Sequence, residues 1–445
     1  MKKEIQLSDH FTYTRLLRFA FSPIMMMVFT SIYGVVDGLF VSNFVGKVPF
    51  AAINLIMPFT MVLGGLGFMI GTGGSALTAK TLGEGRREDA ERYFTMMVLF
   101  TLIVGGLATV FGIAFMEPAA RLLGATDAMM EDCVTYGRIV VGFTTAFMLQ
   151  NVFQTFLSTA EKPKLGLLYT IAAGVANMVL DALFIGVFRW GVAGAALATG
   201  LSQCGGGVLP LFYFLRPNTS LLRLRKTRLE ARVLLRACAN GSSELMSNIS
   251  GSLVGMLYNF QLLRFAGEDG VAVYGVLMYV SFIFVAVFIG FTVASTPAVG
   301  FHHGAGNHAE LKSLLKKSVV LMFAGGLMMM VLAWVLARPL AQIFVGYDQE
   351  LAEMTRHAFR VFSWSFLLAG FNIFVSSFFT ALNNGGVSAA ISFLRSLVFQ
   401  ILCVLALPML LGLDGIWWSV TVAEVFACVI SVIFLMAKRK KYHYF

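Results

Sequence analysis

The chain has 445 residues, 58% of them hydrophobic and 13% charged, with a mean hydropathy of +0.81. A soluble chain carries about a quarter charged residues, so a large soluble domain is excluded and the sequence reads as an all-α polytopic membrane protein. Strands alternating apolar and polar residues are absent, which excludes a β-barrel, and the net charge of +10 is explained by topology, so that no nucleic acid is expected as a partner.

The opening MKKEIQLSDHFTYTRLLRFAFSP is basic and then apolar, as a secretory leader would be. No small-residue cleavage site follows, and the apolar run continues through Asp37 to about residue 41, so it reads as a retained first span. About 20 apolar residues cross a bilayer. Apolar runs between charged or Gly/Pro breaks predict twelve spans, at 14–41, 50–78, 93–115, 134–158, 165–188, 192–214, 237–262, 271–299, 314–336, 357–381, 387–410 and 414–437. With the N-terminus inside, 24 Lys and Arg fall in inside segments (Lys2 and Lys3 among them) and 8 in outside segments (Lys47 among them), with Arg395 within a span. The positive-inside rule therefore places both termini in the cytoplasm. The basic stretch RPNTSLLRLRKTRLEAR then lies beside anionic lipid on that side.

That stretch divides the chain into a six-helix bundle over 1–216, a cytoplasmic linker over 217–236 and a second six-helix bundle over 237–445. The halves resemble each other. "LLR" opens spans one and seven, and "LGEGRREDA" (82–90) after span two answers "HGAGNHAEL" (303–311) after span eight. A constant shift of 221 carries Gly83 and Gly85 onto Gly304 and Gly306, and Pro118 and Asp127 onto Pro339 and Asp348. It also carries Asn151, Phe153, Thr159 and Ala160 onto Asn372, Phe374, Thr380 and Ala381, and Gly191 and Gly194 onto Gly412 and Gly415. Six spans per half make the repeats parallel, with a cleft between two bundles that can rock. No phosphate-binding G-x-x-x-x-G-K-[ST] is present, and GTGGSA (71–76) reads as close helix packing. Coupling must then come from an ion gradient, with no cofactor.

An ionisable side chain near the bilayer centre costs about 2.5–3.5 kcal/mol on insertion scales. The few that occur are informative: Asp37 and Asp181 in the first half, Glu244, Arg395 and Glu424 in the second. Asn177 and Asp181 share a helix face at i, i+4, as Tyr33 and Asp37 do in span one. Gln150, Asn151 and Gln154 form a polar patch in span four, and Thr199 follows Ala195 by one turn in span six. If these faces converge they form an oxygen-rich pocket with two carboxylates, suited to a hard cation or to protons. Singly, Asn, Thr and Ser also serve as interhelical glue. Glu244 can face a water-filled cleft, while Arg395 and Glu424 can neutralise each other or line a cavity with Asn372.

The pattern Pro23…Asp37, the LGEG and HGAG loops, the Asn177–Asp181 pair and "GVAGAALATG" (191–200) together resemble the multidrug and toxic compound extrusion (MATE) transporters over nearly the whole chain. "YGVVDGLFVSNFVG" is most similar to the bacterial branch that holds the staphylococcal MepA-type pumps. The resemblance implies a twelve-helix MATE-like fold and a first-half cation site at Asp37, Asn177 and Asp181, with Asn151, Thr199 and the Ala195 carbonyl contributing and Tyr33 nearby. Another branch has a second-half site with a span-seven Glu and a span-ten Asp; Glu244 matches the first, but span ten offers Asn372 and no Asp.

The resemblance implies export of organic cations and amphiphilic drugs, antibiotics included, by H⁺- or Na⁺-coupled antiport, from a monomer in a bacterial plasma membrane in contact with lipid. The 42 Phe and 24 Met suit a surface that accepts varied shapes, though both are ordinary bilayer-facing residues. An alternative is a lipid-linked precursor or metabolite flippase of the same superfamily, for which more than twelve spans and a cationic cavity are expected. An enzyme is not expected, because no His lies deep in a span beside a carboxylate. No metal centre is expected either, although His302, His303 and His308 cluster in a loop. A passive channel leaves paired carboxylates in one half unexplained.

Overall fold

The computed structural model describes residues 5–346 and 348–445. Lys2, Lys3 and the side chains of Leu39, Ser42 and Lys47 lie outside what is described. The regular elements among the described residues are all helical. The first half holds α1 (Tyr13–Phe44), α2 (Lys47–Gly83), α3 (Arg87–Ala114), α4 (Met116–Leu122), α5 (Asp127–Gly142), α6 (Thr144–Thr159), α7 (Pro163–Asp181) with a π-helical segment Ala182–Val187, and α8 (Gly191–Leu215). The second holds α9 (Ala231–Gly304), α10 (His308–Val345), α11 (Gln349–Phe362), α12 (Trp364–Ala381), α13 (Gly385–Phe393) with a π-helical segment Leu394–Val398, α14 (Phe399–Leu411) and α15 (Leu413–Tyr442).

Ten helices are long and apolar enough to cross a membrane, and α5 with α6, bent by 52°, adds an eleventh. The twelfth is folded into α9. As one rod its 74 residues would run about 110 Å at 1.5 Å per residue, against a hydrocarbon core of about 30 Å. The helix breaks at Gly267, whose φ of 62° and ψ of −149° suit a residue without Cβ. The Tyr258 and Tyr274 rings stack with centroids 5.3 Å apart, whereas 16 residues of straight helix would separate them by about 24 Å. The arms 231–266 and 268–304 therefore fold back on each other as two crossings. Span four begins earlier than its apolar run, at Asp127, and breaks at Phe143; span ten is preceded by α11 and begins after Ser363.

The repeat is visible in the backbone. Gly46 and Gly267, Gly85 and Gly306, and Gly191 and Gly412 are pairs at the 221-residue shift, and all six have positive φ, between 57° and 117°. Each marks a chain reversal or helix boundary at the matching place in its half.

Both termini and the 216–230 segment lie on one face, called here the terminal face. Leu7 N–H donates to Glu161 Oε1 (2.7 Å) in the α6–α7 turn, and Phe11 N–H donates to Glu310 Oε1 (2.9 Å) at the start of α10. His10 Nδ1 sits 2.6 Å from Glu310 Oε2, and Lys317 Nζ donates to the Phe11 carbonyl. This amino-terminal strap thus ties the two halves together. The 216–230 segment is no loose tether: Leu222 is fully buried, Arg225 N–H donates to Thr95 Oγ1 (3.0 Å), and the Arg225 guanidinium meets Glu91 at 2.9 Å and Glu88 at 3.2 Å. The helix begins at Ala231, so 231–236 extend span seven.

The halves interlock towards that face. A Cβ on Gly83 would overlap the Phe301 carbonyl, and one on Gly304 would overlap the Lys80 carbonyl, two contacts that exchange under the 221 shift. Gly73 lies against the Ala237 carbonyl, and Gly241 against that of Met69. Towards the other face, a Cβ added at Gly34 or Gly38 of α1, or at Gly251, Gly255 or Gly275 of α9, would meet nothing within 4 Å. The two halves therefore pack backbone to backbone on the terminal side, and no such close packing occurs at those five glycines.

Candidate functional site: an oxygen cluster inside the first half

Small residues draw the helices together here. A Cβ on Gly174 of α7 would press on the Phe29 and Tyr33 rings of α1. That close approach sets the Tyr33–Asp37 face of α1 beside the Asn177–Asp181 face of α7, and the carboxyls of Asp37 and Asp181 come within interaction distance. On α8, Gly206 leaves room only for the Gln150 side chain and Gly207 for the Ala146 carbonyl. This packs α8 on α6 and carries Thr199 and Gln203 to the same layer. Tyr33 contacts Gln150, and Tyr136 of α5 contacts Thr199 while facing both carboxylates.

The layer is buried and unsatisfied. Asp181 is 0% exposed, and Asn177 and Gln150 are each 2% exposed. Asp37 Oδ1, Gln150 Oε1, Asn177 Oδ1, both carboxylate oxygens of Asp181, Thr199 Oγ1 and Gln203 Oε1 are buried without a hydrogen-bond partner among the described residues. A buried polar group left unmatched costs about 1–3 kcal/mol, and more when charged. No Lys, Arg or His pairs with Asp37 or Asp181 among the described residues. Seven oxygens, three from the two carboxylates and four from their amide and hydroxyl neighbours on α6, α7 and α8, form a donor set of the kind that hard cations select. The same pair can share a proton.

Not every residue singled out from sequence joins the layer. Asn151 Nδ2 donates to the Gly64 carbonyl of α2 (3.2 Å), an interhelical tie. Ala195 is buried in an apolar cluster with Ile185 and Val192, its helix carrying Thr199 one turn on. In the second half, Arg395 Nε donates to Glu424 Oε1 and Oε2 at 2.9 and 3.0 Å, and Nη2 lies 2.7 Å from Oε1. Asn372 Nδ2 donates to Glu424 Oε2 (2.6 Å), and Asn372 Oδ1 accepts from Ser431 Oγ (3.2 Å). These groups satisfy one another. Glu244 stands apart from them on the stretch of α9 whose Leu245 and Asn248 pack on Gly65 of α2.

Two members were missed in the sequence. Gln203 follows Thr199 by four residues, the spacing that exposed Asn177 and Asp181, and the same rule finds it. Tyr136 lies in EDCVTYGR, at the charged start of the predicted span 134–158, and nothing local distinguishes it.

Comparison with known proteins fits this geometry. The family model described as MatE matches twice, over residues 23–183 and 245–405, once in each half. The multidrug export protein MepA of Staphylococcus saprophyticus is 23% identical over 414 residues, covering 92% of this chain and 90% of the relative. MepA of Staphylococcus haemolyticus is 20% identical, covering 96% and 94%. Among solved structures, a MATE transporter in complex with MaL6 superposes with a TM-score of 0.93 at 21% identity, covering 100% of both chains. The outward-facing conformation of a multidrug resistance MATE family transporter also gives 0.93 at 21%, covering 100% of this chain and 99% of that one. With the family model on both halves and these relatives along almost the whole length, the chain belongs to the MatE family of multidrug efflux transporters and is a transporter, not an enzyme.

Proposed function

We propose that the chain is a cation-coupled antiporter that exports organic cationic or amphiphilic compounds by alternating access, driven by H⁺ or Na⁺ bound between Asp37 and Asp181. The observation that carries this reading is the pair of facing carboxylates in an apolar bundle, without a basic partner among the described residues and ringed by uncommitted oxygens. Two negative charges so placed repel until a cation or proton lies between them. Occupancy there biases how α1 sits against α7, and α1 also reaches the second half, where Ser31 Oγ donates to the Phe282 carbonyl (3.3 Å). Ion binding in one half is thereby linked to the arrangement of the two halves.

The moving bodies are 1–216 and 237–445, joined by 217–236, of which 231–236 are already helical at the start of α9. Both termini lie in the cytoplasm of a bacterium, on the 24-to-8 division of basic residues, and the protein works as a monomer in the plasma membrane. On that orientation, the interlock of Gly83 and Gly304 closes the cytoplasmic side, and this conformation faces outward. The decisive experiment loads proteoliposomes with ethidium and imposes a pH gradient or a Na⁺ gradient, one at a time. One of the two gradients is expected to accelerate efflux; efflux indifferent to both would overturn the proposal.

A further inference from the structure

A cavity of about 480 Å³ opens on the terminal face between the start of α1, the N-terminus of α7, the end of α8 and the 216–230 segment. Its walls are of two kinds. Arg18, Lys162 and Lys164 supply positive charge, while Ile5, Phe19, Leu165 and the Tyr213 ring supply apolar surface. Arg18 and Lys164 make no ion pair or hydrogen bond with any described residue. The one carboxylate in the wall, Glu161, already accepts the Leu7 N–H. The 19-residue α7 begins here with Pro163 in its first turn and no side-chain cap, so its positive end adds to the field.

Directly along the same three helices runs an uncovered apolar surface: Phe21 on α1 is 60% exposed, Leu168 on α7 58%, and Phe212 and Leu215 on α8 54% and 61%. These side chains belong to membrane-spanning helices and face acyl chains. A cationic pocket at the end of an acyl-facing surface is the shape of a phospholipid. The charges of Arg18 and Lys164 repel the organic cations that the transporter is proposed to carry. A free inorganic anion has no use for the Phe19, Leu165 and Tyr213 wall. A choline headgroup lacks a free carboxylate partner.

We propose that this cavity is a binding site for one anionic glycerophospholipid. Its phosphate lies between Arg18 and Lys164 at the start of α7, and its acyl chains lie along α1, α7 and α8. Ile5 closes one wall, so the bound lipid also packs against the amino-terminal strap that ties the two halves together.

The test is native mass spectrometry of the full-length protein, titrated with phosphatidylglycerol or phosphatidylcholine of the same acyl chains, or with inorganic phosphate. One phosphatidylglycerol is expected to be retained well above the other two ligands. A basic residue beside anionic lipid contributes about 1 kcal/mol, or about fivefold. Arg18→Ala with Lys164→Ala should therefore weaken phosphatidylglycerol binding about 25-fold, and the exposed single change Lys164→Ala about fivefold. The charge-preserving pair Arg18→Lys with Lys164→Arg should retain it, as should Lys226→Ala with Arg228→Ala on the neighbouring segment. Equal retention of phosphatidylcholine would overturn the site, as would unchanged binding in Lys164→Ala. Inorganic phosphate binding as tightly as the lipid would reduce it to an anion site and overturn the lipid assignment.

Discussion

The two halves share a scaffold and differ at its centre. Under the 221-residue shift, Asp37 corresponds to Tyr258, Asn177 to Val398, Asp181 to Leu402, Thr199 to Val420 and Gln203 to Glu424. Tyr258 donates to Gln400 (3.0 Å), and Glu424 is neutralised by Arg395. The buried apolar residues follow suit. The second half has one continuous core from Val254 to Leu435, whereas the first is divided into a terminal-side cluster around Phe94, Phe153 and Phe214 and a far-side cluster around Ile53, Tyr136 and Ile185. The oxygen layer lies where that division falls. A structural polar network is recognised by being satisfied; a ligand site of this kind is recognised by oxygens that converge and find no donor. The same polar residue types occur in both halves, so their presence alone does not distinguish the two.

This contrast can be broken by substitution. Asp37→Asn or Asp181→Asn is expected to abolish gradient-driven ethidium efflux, and to cut ion-linked substrate binding by about 5–150-fold, the usual range for coupled sites. Because the change removes a buried charge, the melting temperature should hold or rise. Normal pumping by both variants would end the cation-site reading. A disulfide between cysteines placed at the far-face ends of α1 and of the 231–266 arm should arrest transport, and reduction should restore it; full activity in the verified cross-linked protein would mean that the halves do not separate there.

Arg395→Ala probes the other side of the comparison. It leaves Glu424 buried and unpaired, and breaking a buried pair costs about 3–5 kcal/mol, read as a lowered melting temperature. Arg395→Met with Glu424→Gln should recover most of it. Loss of ion response without loss of stability would show that the second half also takes part in coupling. Tyr136→Phe removes one hydroxyl facing Thr199, worth about 1 kcal/mol or about fivefold, and should weaken ion affinity by that factor in a titration of efflux rate against pH or Na⁺. Asn151→Ala should cost about 1 kcal/mol of stability and leave ion affinity unchanged. If it instead shifts ion affinity as far as Tyr136→Phe does, the boundary drawn between glue and site is misplaced.

The crossings were legible because the bilayer demands long apolar runs, and the repeat because glycines at reversals cannot be exchanged freely. Gly46 and Gly267 escaped notice: a lone matched glycine carries no weight until its backbone angle is known. The bend at Ser363 carries no proline or glycine, so composition gives no sign of it, and Gly142 beside the bend at Phe143 is one of 44 glycines with nothing to single it out. Of the oxygen layer, Asp37, Asn177, Asp181 and Thr199 stand out as polar residues at helical spacing in apolar helices. Tyr136 does not: it sits at the charged edge of its predicted span, among Glu131, Asp132 and Arg138, where a polar residue is ordinary. The diversion of Asn151 to the Gly64 carbonyl depends on where α2 lies, which spacing along one helix cannot give.

The amino-terminal strap has a consequence for biosynthesis. His10 and Glu310 are 300 residues apart, so the segment around His10 is made long before its seat on α10. Leu7 and Glu161 are only 154 residues apart, so the strap can rest first on one half alone. Only once the start of α10 has reached the terminal face does the strap bind the second half, making this contact a mark that the two arms of α9 have been inserted.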